Sequence, residues 1–231
     1  MPITLRVRIG QTAFNSVSIP LARARKDISL ESYDSSVFIN CPFDEAYRSR
    51  FEALIFAIRY LGFLPRSALE TQEGRETRIT RLKRIIGECR FGLHDLSRVE
   101  LSTDGYPRFN MPLELGIDIG CAEYGRGRLR SKSLLILDVE KYRFQKFISD
   151  ISGQDPSIYD GTPQGIIRAV RGWLHEHIET VPVGAEQIFR DYQKFRLDEP
   201  NLRGTANLDA DEIFFYRDYV ALVGRWLKEN H

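Results

Sequence analysis

The feature that most constrains this chain is an alternation. Four short apolar runs are each followed by a stretch whose apolar residues recur at helical spacing. The runs are Ser36–Cys41 (SVFINC), Phe63–Leu69 (FLPRSAL), Phe91–Ser97 (FGLHDLS) and Ser133–Val139 (SLLILDV). The first is followed by Phe51, Leu54, Ile55, Ile58 and Leu61 at i, i+3, i+4, i+7 spacing, closed by Gly62. Ile79, Leu82, Ile86 and Cys89 form a second stripe, and a third helix carries Glu114. In the fourth, Thr162–Ile178, residues Ile166, Ile167, Val170, Trp173 and Leu174 share one side. Alternating β and α units imply an α/β fold, a parallel sheet with helices on both faces. Continuous apolar runs suit strands buried on both faces, and Pro65 marks the second, weaker run as an edge strand or one that ends early.

The chain's 231 residues suit one sizeable domain with appendages. We divide it into an N-terminal extension (1–34), an α/β domain (35–178) and a helical C-terminal extension (179–231). The first part holds an alternating run, Pro2–Ile9, and a basic run, Arg23–Lys26, read as a solvated face. The last part holds two helical segments, 186–195 and 209–228, joined by a polar linker with Pro200 and Gly204. Its Ile213, Phe214, Val220, Val223 and Trp226 are too many large apolar groups for a solvated tail, so they pack on the same chain or on a second copy. Lys+Arg 33 against Asp+Glu 32 gives no steer toward nucleic acid. Cys41, Cys89 and Cys121 lack metal-site spacing and read as free thiols in a reducing compartment. No signal-type apolar core or membrane-length apolar stretch appears, so we expect a cytoplasmic protein with no membrane partner.

In an open parallel sheet, ligands bind beyond the carboxyl ends of the strands. The first strand ends in Asn40, Cys41, Pro42, Phe43 and Asp44; the third in His94, Asp95, Ser97 and Arg98. The next helix adds Glu114, expected in its first turn after Pro112. A plain structural account exists for each: a helix-start charge for Glu114, a turn cap for Asp95, a satisfied core histidine for His94, a turn holder for Asn40. Phosphate-loop, dinucleotide, nucleophile-elbow and HExxH patterns are absent, and the four histidines form no metal motif.

The segments VFINCPFD, HDLS and NMPLELG together resemble the nucleoside 2-deoxyribosyltransferase-like and TIR-like group of α/β domains, over about residues 36–178. The resemblance implies a flavodoxin-like sheet and a glutamate that serves cleavage of an N-glycosidic bond, in nucleosides or in NAD. Glu114 of the ELG triplet matches that glutamate. The resemblance further implies a hydrolase or transferase with NAD or a nucleotide as substrate and no separate cofactor or metal, and a part in anti-phage defence.

On this reading Glu114 and Asp95 are the catalytic residues, Asp95 by binding ribose hydroxyls or the base. Asn40 and the backbone at Pro42 and Phe43 take base or phosphate, with Ser97 and Asn110 nearby. Arg98 or Arg108 neutralises a phosphate. Phe109, Met111, Leu113 and Leu115 supply dry surroundings. The alternative is a binding module, in which the same crevice senses a nucleotide and the C-terminal helices relay the signal or build a homo-oligomer.

Overall fold

The computed structural model describes residues 33–71, 74–98, 109–151, 153–178, 183–208 and 216–231. The runs Pro2–Ile9 and Arg23–Lys26 lie outside them, as do Arg108, Ile213 and Phe214. Five strands form one all-parallel sheet in the order β2-β1-β3-β4-β5. They are β1 (Ser36–Asn40), β2 (Leu64–Arg66), β3 (Phe91–Asp95), β4 (Ser133–Asp138) and β5 (Ser157–Ile158). The fold is α/β and flavodoxin-like. β2 is an edge strand, as Pro65 requires, because proline donates no ladder hydrogen bond. β5 was not expected; two residues are too short to show a period.

Every residue of β1 and β3 is buried, which explains their unbroken apolar character. Side chains alternate between the faces. Val37, Ile39, Phe91 and Leu93 join the larger cluster, with α1 (Arg48–Tyr60) and α4 (Pro163–Leu174). Phe38 faces Leu82, Ile85, Ile86 and Cys89 around α2 (Arg78–Gly87). The stripe on α2 is shifted from expectation: Ile85 is buried, Ile79 is 38% exposed, and Cys89 lies past the helix end. Thr77 starts α2 by accepting from Thr80 N, and Thr162 starts α4 by accepting from Gly165 N. Tyr33, just ahead of β1, is buried and its carbonyl accepts from Arg90 N.

The C-terminal helices, α5 (Ala185–Thr205) and α6 (Tyr216–Asn230), pack on the same chain. Tyr192, Phe195 and Trp226 surround the Phe56 ring of α1. Arg196 bridges Glu52 of α1 and Glu199 of its own helix. Val223 and Trp226 are buried as expected. The expected linker is helix instead: α5 continues through Pro200 to Thr205. Arg203 closes on Glu199 one turn back, across the proline. Among the described residues no helix is long and apolar enough to cross a membrane.

Candidate functional site

The chain runs from β1 outward to β2, and from β3 the other way to β4, so the strand order reverses between β1 and β3. A crevice opens at such a switch point, at the carboxyl ends of the strands. Asn40 and His94 are register partners there. Over them passes α3 (Asn110–Tyr124), which carries Glu114.

A buried polar chain fixes α3 to the sheet. Asn40 Nδ2 donates to the Met111 carbonyl at 2.9 Å and lies 3.0 Å from His94 Nδ1. With Nδ1 accepting, the His94 proton sits on Nε2, which faces Asp118 Oδ2 at 3.1 Å. Asp118 Oδ1 pairs with Lys132 Nζ at 3.1 Å. Lys132 Nζ also donates to the carbonyls of Ile86, at 2.9 Å, and Cys89, so the ammonium is held from three directions. His94, Asp118 and Lys132 have fully buried side chains. Buried charges of this kind persist only when paired. Gly92 makes the approach possible: a Cβ there would lie 2.2 Å from Asp118 Oδ2 and 2.7 Å from Leu134 Cδ2. Asn40 is thus a clamp with both amide hydrogens spent, and His94 is a satisfied core histidine.

Glu114 lies one turn before Asp118 and shares its face, with Ile117 and Cys121. It is the fifth residue of α3, not a first-turn acid: the helix begins at Asn110, and Pro112 is already inside it. The helix-start account of Glu114 therefore loses its basis, since dipole effects fade beyond the first turn. Glu114 is 5% exposed. Burial pushes its carboxyl up to about 7; Arg78, on α2, opposes this. Arg78 Nη2 stands 3.7 Å from Glu114 Oε1, beyond good hydrogen-bond length, and the Arg78 side chain is 60% exposed. The Cys41 thiol at the end of β1 is pushed well up, first by burial and then by the Asp95 and Glu114 carboxylates.

Asp95 points to the opposite sheet face from Asn40 and His94. It is fully buried. The Tyr47 and Tyr159 hydroxyls donate to Oδ2, the second at 2.7 Å, and Ser97 N donates to Oδ1 at 2.7 Å. Three donors hold this carboxylate, so it braces the strand ends and does not present itself to a ribose. Buried Ser97 belongs to the same cluster, with Oγ 3.3 Å from the Tyr159 hydroxyl. Arg98 is engaged on one side: Nη1 donates to Asp44 Oδ1 at 2.7 Å, joining the exits of β1 and β3. Pro42 and Phe43 line a separate cleft of about 290 Å³ with Asp44, Glu45, Arg48, Phe51 and Leu69. Phe109 and Leu113 are exposed, at 68% and 56%, and Asn110 is exposed beside them. Of the four residues expected to keep Glu114 dry, only Met111 and Leu115 are buried, and they face a third cluster with Leu96, Ile136 and Phe144.

The residues that sequence reasoning missed are Arg78, Asp118, Lys132, Gly92, Tyr47 and Tyr159. Two carried a signal. Asp118 is a second acid in the same apolar helix, four residues after Glu114, and Gly92 is a glycine inside a strand, which marks close approach of another group. No protein-family model, curated protein or solved structure matches this chain.

Proposed function

We propose that this protein cleaves the N-glycosidic bond of NAD or of another nucleotide or nucleoside, with Glu114 as the reacting carboxylate. One observation carries the reading: Glu114 is a buried acid at the switch point whose recorded polar contact among the described residues is a long ion pair. Asp95, Asp118 and Glu52 are each held by several donors or by a close cation. Breaking a ribosyl–base bond builds positive charge at the anomeric carbon. A desolvated carboxylate stabilises that charge, or traps the carbon covalently, far better than a hydrated one does. The clamp from Asn40 through Lys132 holds the helix that carries it, so little reorganisation is needed during the reaction.

A second reading, a nucleotide sensor, draws on a different observation. Glu45 and Arg48 line the cleft at Pro42 and Phe43 and also a cleft of about 640 Å³ against α5, beside Arg196 and Glu199. A ligand felt at one cleft has a direct route to the C-terminal helices. Product analysis after incubation with NAD, nucleotides and nucleosides separates the two. Release of free base supports cleavage; tight binding with no product supports sensing.

A further inference from the structure

Arg78 is best judged against two other acid–arginine pairs at the carboxyl end of the sheet. Arg98 donates to Asp44 at 2.7 Å, with 29% of its side chain exposed. Arg143 Nη2 donates to Asp138 Oδ1 at 2.6 Å and to the Leu96 carbonyl at 2.8 Å, with 14% exposed. Arg78 differs in both respects. Its pair with Glu114 is 3.7 Å long and its side chain is 60% exposed. One terminal nitrogen faces Glu114, and no other polar partner is recorded for its guanidinium among the described residues. A guanidinium has five N–H groups in a planar fork, matched to two oxygens of a phosphate. Arg78 therefore has an unspent edge facing solvent, a few ångströms from the acid proposed to react.

From this we infer that Arg78 is the specificity-determining residue of the crevice: it binds a phosphate of the substrate, so the protein selects phosphorylated nucleosides over bare ones. The inference rests on the reading of the crevice as a nucleotide site. Of the two arginines expected from the sequence, Arg98 already has Nη1 on Asp44 at 2.7 Å, and Arg108 lies outside the described residues. One terminal nitrogen stays beside Glu114 while the outer edge takes the phosphate oxygens. The cation thereby fixes the distance between phosphate and reacting carboxylate, and a bare nucleoside leaves that edge in water.

The test compares calorimetric affinities for adenosine 5′-monophosphate, adenosine and inorganic phosphate in the full chain, the Arg78→Gln chain and the Arg78→Lys chain. Arg78 is exposed, and matching thermal unfolding of the three chains confirms an intact fold. The wild type is expected to bind the monophosphate at least about tenfold more tightly than adenosine, with the margin shrinking as salt is raised. Arg78→Gln is expected to erase the margin between monophosphate and adenosine; Arg78→Lys, which keeps the charge and loses the fork, is expected to restore part of it. A margin that survives Arg78→Gln overturns the assignment of Arg78 while the nucleotide site stands. No binding of monophosphate or nucleoside by the wild type overturns both.

Discussion

Replacing Glu114 by glutamine tests the burial of its charge without any knowledge of substrate. The carboxyl sits 5% exposed and is pushed up to about 7 from its ordinary 4.5. Between those two values the unfolded chain has released the proton and the native chain still holds it. The native state binds more protons there, so stability falls as pH rises through this window, and the loss is complete above about 7. The difference amounts to about 3 kcal/mol, at about 1.4 kcal/mol for each tenfold in proton affinity. Glutamine keeps the shape and cannot ionise. It brings a constant cost of about 1–2 kcal/mol if its new N–H groups lack partners, and that cost does not depend on pH. Relative to wild type, Glu114→Gln should thus gain about 3 kcal/mol between pH 4 and pH 8, some 6–12 °C in melting temperature for a chain of this size. Urea or thermal unfolding of the two proteins across that range measures it, and other titrating groups cancel in the comparison. Parallel stability curves would show that Glu114 ionises as a hydrated carboxyl does, and the argument for a desolvated reacting acid would fall.

Other outcomes follow from the clamp and the packing. Gly92→Ala drives a methyl group to 2.2 Å from Asp118 Oδ2, and should destabilise by about 3 kcal/mol or more in chemical denaturation, since overpacking and a displaced buried ion pair act together; a loss below about 1 kcal/mol would contradict the close approach. Lys132→Met leaves Asp118 without its cation and should cost about 3–5 kcal/mol by the same assay, whereas a stability-neutral change would mean the pair is not buried. Removing residues 183–231 uncovers Phe51 and Phe56 and should yield an insoluble product; a soluble, monomeric truncation would show that the C-terminal helices are dispensable to the core.

The frame of the fold was legible because it depends on repetition. SLLILDV and SVFINC read as buried parallel strands, and the 3.6-residue stripes on α1 and α4 had clear stops or caps in Gly62 and Thr162. β5 was not legible because two residues carry no period, and α5 was cut short because Pro200 reads as a break. In the structure, packing of Phe195 and Tyr192 against α1 carries the helix through it. The carboxyl-end rule brought Asn40, Asp95 and Glu114 to one edge of the sheet. It could not say which side chains were already committed. That depends on partners distant in sequence: Tyr159 for Asp95, Met111 for Asn40, Asp44 for Arg98. Arg78 gave no signal, because an arginine opening a polar helix looks the same whether or not a buried acid waits across the crevice.

The central claim is that Glu114 is the group that meets the anomeric carbon. The most direct measurement is the rate of base release by wild type and by Glu114→Gln, on the best substrate of an NAD, nucleotide and nucleoside panel, followed from pH 5 to pH 9. The wild-type kcat/KM is expected to rise with pH and to level off above about 7, where the carboxylate is ionised. The Glu114→Gln rate is expected to be lower by about a thousandfold, some 4 kcal/mol of lost transition-state stabilisation. Unchanged turnover by Glu114→Gln, or no base release by the wild type on any member of the panel, would contradict it.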